Sequence, residues 1–417
     1  MKKTTFIFLI ISSLITHLFF IDFFSFTVDE LNIWNNYQNS QNFIFFWQHF
    51  VKYDTHQPLF YLFWYPLFTN FWGQLFLRLP SLLFFAGGGY YWNKLFPYTE
   101  KENQIPWCLY LFSPFLLIYS SFFLPYSLLI LASIFNYYAL ATLEKEESRK
   151  NFFQFLLSCL ILIFTHYYGA LQAILVTAYY IYRSPNKKLK VGFFFLTFLL
   201  FGTLVIFSDF RNDFAVVHSY RKMPTLYTVL GSINLLNGGR YLSVLLILLL
   251  LWGRKWRIIF TREFLFILTV VTIAYLKSRL ISPSFEARYL LILIYPLYSL
   301  FKGIEVKFIA PVFVVISLFS LYQLQGTFGA SFVTKYEKVP RTNEGVGLFI
   351  TPCPKFYFPS NNYICKDYYQ NYEQMTAGAN QFIVHKDHYF FFKRLVRNSE
   401  CERMQEPGLY SCKLQVK

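Results

Sequence analysis

Titratable side chains are concentrated in a few polar segments of this sequence, and their types could support acid–base chemistry. Asp29 and Glu30 are adjacent, and Asp54 and His56 follow later in the same polar segment. Reactions that move protons need such groups to converge on one site, with a carboxylate or an imidazole as the base. The remaining candidates lie in later polar segments: Tyr126, His166, Asp209, Arg211, Asp213, His218, Arg221, Arg240, Lys277, Arg279, Glu286 and Arg288.

The elements that must position these groups are strongly apolar. The 417 residues are 55% hydrophobic and 23% aromatic, and 14% are charged, whereas a soluble domain carries about 25% charged residues. Apolar runs recur from Thr5 to Gln323, and runs of roughly 20 such residues are typical of membrane spans. The short segments between the runs are basic, which is the pattern of cytoplasmic loops. The net charge of +16 therefore indicates membrane orientation and predicts no nucleic-acid partner.

The basic segments predict a polytopic α-helical membrane protein with about eleven transmembrane helices and a cytoplasmic N-terminus. The first run lacks a small-residue cleavage site, which favours an uncleaved span over a removed signal peptide. Pro58–Trp72 is short for a span and is predicted to be an interfacial helix within a long first outer loop. This topology places the candidate titratable groups on the outer face. The predicted spans are Thr5–Phe26, Leu75–Phe96, Ile105–Tyr119, Tyr126–Leu143, Phe152–Phe164, Tyr167–Tyr182, Val191–Ser208, Tyr241–Trp252, Phe264–Leu276, Tyr289–Phe301 and Phe308–Tyr322.

Two domains are predicted, a membrane domain of residues 1–324 and an outer domain of residues 325–417. The second has strand-length apolar clusters, and Lys366–Gln374 fits a helix, which together predict a small α/β domain. The clusters are Gly347–Thr351, Gln381–Val384 and Leu409–Leu414.

Four cysteines lie in the predicted outer domain: Cys353, Cys365, Cys401 and Cys412. An even number in a small exported domain suggests two disulfides, for which three pairings exist. Pairing of sequence neighbours, Cys353 with Cys365 and Cys401 with Cys412, is the preferred prediction. A metal site is the alternative, although no Cys-x-x-Cys pair is present.

Several short motifs follow one another between residue 1 and about residue 300, and their order resembles a known family. The family is the polytopic GT-C glycosyltransferases, which include protein O-mannosyltransferases and lipid A aminoarabinose transferases. The tail from residue 325 is outside the resemblance. The motifs are Asp29-Glu30, Asp54-Thr55-His56-Gln57-Pro58-Leu59-Phe60-Tyr61, Leu77-Arg78-Leu79-Pro80-Ser81, Ser113-Pro114-Phe115, Tyr119-Ser120, Tyr126-Ser127-Leu128, Thr165-His166-Tyr167 and Ala287-Arg288-Tyr289-Leu290-Leu291.

The resemblance implies sugar transfer from a polyprenyl-phosphate donor to a glycan, lipid or protein of the cell envelope. The location implied is the outer face of a bacterial inner membrane. Asp29 is then the candidate base, with Glu30 as its supporting carboxylate, and His56 and Arg288 lie at the donor phosphate.

Other residues are candidates for binding the substrate. Tyr126 and His166 belong to matched motifs, although His166 could equally cap a helix. Asp54 or Asp209 could replace an acid that the family pattern carries and this chain lacks at Phe122. Arg279 is added because it is predicted to share an outer loop with Arg288. No cofactor follows with certainty, and a divalent metal at Asp29 and Glu30 is left open.

One motif departs from the family pattern. Phe122 lies in a Ser-Phe-Phe-Leu stretch where relatives carry Gln-Glu-Ala-Arg, so an acid and an arginine are lost. A catalytically silent protein that binds lipid-linked sugar is therefore an alternative. A transporter or flippase is a further alternative, disfavoured because the spans hold few charges and the sequence shows no internal repeat.

The assignment of Asp29 as base yields a direct prediction. Asp29→Asn should lower sugar transfer by on the order of 10²–10⁴-fold while donor binding persists, because the amide cannot accept the acceptor's proton. Product formation and donor binding would both be measured, with Asp387→Asn in the tail as the matched control. Turnover at the unaltered rate in Asp29→Asn would contradict the catalytic role.

Overall fold

The computed structural model describes only part of the chain. Asp29, Asp54, His56 and Cys353 lie outside the described residues, as does the predicted span Val191–Ser208 apart from Gly192. By its contacts the chain divides into two compact units, Met1–Phe23 with Asn42–Gly326 and Phe24–Gln41 with Thr327–Lys417. The residues described are 3–23, 30, 33, 37, 42–49, 58–68, 74–122, 124–183, 192, 223–253, 261–280, 285–305, 309–328, 346–349, 364–366, 381–385, 399–403 and 409–414.

The described residues form fourteen α-helices and a small sheet, so the prediction of a mostly helical chain with a small strand-containing part is confirmed. Two 3₁₀ helices, Lys101–Asn103 and Ala287–Leu293, join the α-helices. The α-helices are α1 Lys3–Phe23, α2 Phe43–His49, α3 Pro58–Phe68, α4 Gln74–Leu95, α5 Gln104–Phe112, α6 Pro114–Ser121, α7 Pro125–Lys145, α8 Arg149–Thr165, α9 Tyr167–Arg183, α10 Leu226–Leu236, α11 Arg240–Trp252, α12 Arg262–Leu280, α13 Ile294–Ser299 and α14 Ile309–Phe328.

Local signals explain where several helices begin. Pro114 and Pro125 stand at the first positions of α6 and α7, where a missing backbone N–H costs nothing. The Ser148 hydroxyl accepts a hydrogen bond from the Asn151 N–H at the start of α8. Thr225 and Thr228 form a reciprocal capping box at the start of α10.

Two predicted spans are interrupted in the structure. Ile105–Tyr119 is divided between α5 and α6 because Ser113, which precedes a proline, adopts an extended conformation (φ −60°, ψ 120°). Tyr289–Phe301 is a 3₁₀ helix followed by the short helix α13.

The prediction of eleven membrane-spanning helices is not supported by the described residues. Among the described residues one helix, α7, is long and apolar enough to cross a membrane. A second span is obtained if α10 and α11, which are bent by 82° relative to each other, are counted together as one. Many of the other helices are short or broken, or carry charge near their ends: α12, for example, begins with Arg262-Glu263 and includes Lys277 and Arg279 in its last turn.

A network of buried polar side chains crosses the centre of the helical unit. The Gln172 amide on α9 donates hydrogen bonds to the Ser133 carbonyl (3.1 Å) and to Asn136 Oδ1 (3.2 Å) on α7. The Ser133 hydroxyl donates to Gln172 Oε1 at 2.8 Å, and the Asn136 amide donates to the Ser158 hydroxyl on α8 at 2.9 Å. We name Ser133, Asn136, Ser158 and Gln172 the polar seam. All four are buried, so the seam fixes α7, α8 and α9 against one another.

The C-terminal part contains a mixed five-stranded sheet with strand order β2-β1-β3-β5-β4. β1 pairs in parallel with β2 and β3, whereas β5 pairs antiparallel with β3 and β4. β1, β3 and β5 fall on the three apolar clusters predicted to be strands, whereas β2 and β4 were not predicted. Their bounds are β1 Val346–Phe349, β2 Ile364–Lys366, β3 Gln381–His385, β4 Ser399–Arg403 and β5 Leu409–Leu414.

One of the two preferred cysteine pairings, Cys401 with Cys412, is confirmed by the structure. Cys401 on β4 and Cys412 on β5 lie directly opposite each other and form a disulfide. Cys365 lies in β2, so the predicted helix Lys366–Gln374 has a strand residue at its start. The rest of that segment and Cys353 lie outside the described residues.

Close packing of the α8–α9 corner generates a stability prediction. A Cβ atom at Gly169 would overlap the Leu162 carbonyl oxygen and lie 3.2 Å from a Leu129 methyl. Gly169→Ala should therefore lower the free energy of unfolding by about 1–3 kcal/mol, because backbone cannot move aside easily.

The matched control is Gly231→Ala, since no atom lies within 4 Å of the added Cβ in α10. That change should raise stability by about 0.5–1 kcal/mol, because alanine favours a helix interior over glycine. Thermal unfolding of both purified variants in detergent micelles checks the pair. Equal effects of the two substitutions would refute the packing argument.

Candidate functional site

The 3₁₀ helix Ala287–Leu293 positions Arg288, the late arginine of the sequence motifs. Leu290 to Leu293 are buried, and the Ile292 carbonyl accepts a hydrogen bond from the Ser133 hydroxyl at 3.4 Å. The polar seam therefore also holds this segment. Seven residues is long for a 3₁₀ helix, whose hydrogen bonds are less favourable than those of an α-helix. Tertiary contacts must supply the remaining stability.

Arg288 lies among aromatic rings and is ion-paired with Glu286. Its Nε contacts a carboxylate oxygen of Glu286, and both side chains are partly exposed, 19% for Arg288 and 34% for Glu286. The guanidinium carbon is 5.8 Å from the ring centroid of Tyr126 and 5.2 Å from that of Tyr289. Both distances suit cation–π attraction. The arginine is thus held from two sides without being fully buried.

His166 connects the α8–α9 corner to the same rings. The Tyr168 N–H donates a hydrogen bond to His166 Nδ1 at 3.2 Å, so this histidine caps α9. Because Nδ1 accepts, the proton of the neutral ring is on Nε2. The ring centroid of His166 is 5.3 Å from that of Tyr289 and 6.1 Å from that of Tyr126. His166 therefore both caps a helix and lines the cluster.

We name Tyr126, His166, Tyr168, Tyr289 and Arg288 the arginine–aromatic cluster. The rings of Tyr168 and Tyr289 stack with their centroids 5.3 Å apart, so Tyr168 joins the cluster through Tyr289. Three of its members, Tyr126, His166 and Arg288, were predicted as site residues, and the structure brings them together from three distant positions in the chain. The guanidinium of such a cluster can bind an anion. Of the rings, Tyr289 is partly exposed, whereas Tyr126, His166 and Tyr168 are buried.

Phe122 occupies a closely packed position beside this cluster. Its carbonyl accepts a hydrogen bond of 2.5 Å from the Ser81 hydroxyl, and its ring lies 5.2 Å from the guanidinium carbon of Arg78. Arg78 is fully buried, and Tyr119 bridges the rings of Phe122 and Tyr126. This chain therefore places an aromatic ring next to a buried arginine at this position.

The remaining predicted site residues are not joined to the cluster by the described contacts. Arg279 is exposed in the last turn of α12 rather than in a loop, and its role as a binding residue stays a prediction. Glu30 lies in the second unit and is fully buried. Asp29, Asp54 and His56 lie outside the described residues. Within the described residues, no group of three or more histidine, cysteine, aspartate or glutamate side chains could hold a metal ion.

Sequence reasoning assigned no role to several residues that matter here. Tyr289 belongs to a matched motif and Tyr168 directly follows another, and that placement was the available signal. His17 is buried within α1 and contacts the Ser120 hydroxyl at 2.8 Å, two residues before Phe122. A histidine inside an apolar run was a signal for it.

Comparison with known proteins adds no relative to this description. No protein-family model, curated protein or solved structure matches the chain.

The Arg78–Phe122 contact generates a prediction. Phe122→Leu should lower the free energy of unfolding by about 1–2 kcal/mol, because the buried guanidinium loses the ring face. Phe153→Leu is the matched control, since Phe153 is 64% exposed on α8 and its replacement should change stability by under about 0.5 kcal/mol. Unfolding of both variants in detergent would be compared. A loss no larger than that of the control would argue against the contact.

Proposed function

We propose that this protein is a polytopic membrane glycosyltransferase that uses a polyprenyl-phosphate sugar on the outer face of a bacterial inner membrane. One support for the membrane location is the distribution of apolar side chains. Val244, Ile247 and Leu251 are each 48–58% exposed on α11, while Leu242, Leu246 and Leu249 on the same helix are buried. A helix that is apolar on all sides suits a lipid environment, because a soluble helix presents polar residues outward.

Other helices carry the same feature. Exposed stripes of large apolar residues also run along α1, α12 and α14, and a water-facing surface rarely keeps contiguous patches of this size. Polar side chains such as His17, Arg78, Asn136 and Gln172 are buried instead. Interhelical hydrogen bonds between buried polar groups are typical of helices packed within a membrane.

The observation that carries the functional proposal is the arginine–aromatic cluster. Arg288 supplies a planar cation that can bind phosphate oxygens, and partial exposure keeps it accessible. Tyr289 offers a partly exposed ring next to it, where a sugar linked to that phosphate would lie, and the buried Tyr126 packs against the guanidinium. Phosphate and sugar recognition side by side is what a phospho-sugar donor requires.

The proposed reaction is a displacement at the anomeric carbon. The bond between that carbon and the phosphate oxygen breaks, and its electron pair stays on the phosphate. An acceptor oxygen forms the new bond from the opposite face, and its proton passes to Asp29. Arg288, with His56, stabilises the charge that grows on the leaving phosphate. Glu30 supports Asp29 in this proposal, and no step depends on a metal.

A second candidate is a protein that binds lipid-linked sugar without transferring it. The Arg78–Phe122 contact favours this candidate, because it places a ring where relatives keep a carboxylate. Binding at Arg288 would be the same in both cases, so turnover distinguishes them.

Arg288→Ala should reduce the sugar product by on the order of 10²–10³-fold, because the leaving phosphate loses its main charge partner. Surface glycolipids and glycans would be analysed by mass spectrometry in a deletion strain complemented with each variant. Arg288→Lys should restore part of the product, since a cation remains but the planar, two-pronged geometry does not.

The matched control is Arg149→Ala, because Arg149 is exposed at the start of α8, away from the cluster. It should leave the product unchanged. If the deletion strain and the wild-type strain have identical surface glycans, the transferase proposal is wrong and the binding candidate is favoured.

A further inference from the structure

Glu286 is a carboxylate ion-paired with Arg288, the residue proposed to bind the substrate phosphate. It contacts Arg288 through the Nε edge of the guanidinium. Carboxylates and phosphates use the same guanidinium donors, and a planar fork favours both geometries. A phosphate that binds at this edge competes with Glu286 for Arg288, and one that binds at the Nη atoms lies beside the Glu286 carboxylate.

The backbone around Glu286 is fixed, whereas its side chain has room to move. Phe285 and Ala287 on either side are buried, and the Glu286 carbonyl accepts a hydrogen bond from the Tyr289 N–H at 3.1 Å. The Glu286 side chain is 34% exposed. A rotation of that side chain can release Arg288 without moving the 3₁₀ helix, and the displaced carboxylate stays near the bound phosphate.

Charge distinguishes the donor from the product in this setting. A lipid-phosphate sugar is a phosphodiester with a single negative charge, whereas the lipid phosphate left after transfer is a monoester. A phosphate monoester carries about 1.5 to 2 negative charges at neutral pH. A carboxylate retained beside the phosphate therefore repels the product more strongly than the donor, since the repulsion grows with the charge.

We infer that Glu286 is a product-release residue: it occupies Arg288 in the free protein, yields to the phosphodiester donor, and weakens retention of the phosphomonoester product. This inference rests on the proposed function for its ligand, a lipid-borne phosphate, and it deepens that function by assigning the regulation of the same site. It involves no covalent step.

The test measures binding rather than turnover, so its outcome is separable from that of the transferase proposal. The full chain in lipid nanodiscs would be titrated with a short polyprenyl phosphate, with its methyl diester, and with inorganic phosphate. Glu286→Gln should raise the affinity for the monoester by on the order of tenfold and for the diester by about threefold, because only the charge of residue 286 changes.

Two further variants make the result specific. The gain should vanish in the double variant Glu286→Gln/Arg288→Ala, because the competition takes place at Arg288. Glu305→Gln removes the same charge from an exposed position and should alter neither affinity. If Glu286→Gln does not fold, Glu286→Asp, whose shorter side chain reaches Arg288 less well, should give a smaller gain in the same direction.

Several outcomes would overturn the inference. Equal gains for monoester and diester, or weaker binding in Glu286→Gln, would show that Glu286 positions Arg288 instead of competing with the phosphate. Inorganic phosphate that binds as tightly as the lipid monoester would overturn the assignment to a lipid-borne ligand. Absence of sugar transfer alongside the expected affinity ranking would reject the transferase proposal and the product-release role, and would leave only the competition between Glu286 and a lipid-borne phosphate.

Discussion

The structure of the helical unit depends on the hydrogen bonds of the polar seam. Gln172 on α9 exchanges hydrogen bonds with Ser133 and contacts Asn136 on α7, and Asn136 reaches Ser158 on α8. A buried amide left unpaired costs about 1–3 kcal/mol, so few alternative registers of these helices are tolerated. Apolar side chains alone would impose no such restriction, because leucine and phenylalanine pack in many arrangements.

The hydrogen bonds of the polar seam also help to position the candidate site. Ser133 also donates to the Ile292 carbonyl, which ties the 3₁₀ helix bearing Arg288 to α7. Tyr126 stands at the start of α7, and His166 stands at the corner between α8 and α9. The same few hydrogen bonds therefore hold three distant segments at distances where a guanidinium and aromatic rings interact.

The distribution of charge around the cluster shapes the proposed chemistry. Glu286 neutralises Arg288, and Phe122 rather than an acid lies beneath the buried Arg78. In the proposed function a phosphate ligand replaces the carboxylate of Glu286, which is partly exposed. Arg78 is fully buried with its guanidinium over a ring, and it is better suited to hold the segment before α7 in place.

The sequence by itself indicated most of the helices and three of the five strands, because apolar runs act within a few residues, whereas α2, α10, β2 and β4 were not predicted. It also favoured the Cys401–Cys412 pairing as one of sequence neighbours, and the structure supplies the reason, since the antiparallel strands β4 and β5 bring the two cysteines face to face. Only the tertiary structure decided the break at Ser113, the exposed position of Arg279, and the meeting of His166, Tyr126 and Tyr289 around Arg288. Those features arise from contacts between segments far apart in the chain, and such contacts leave no periodic or local signal.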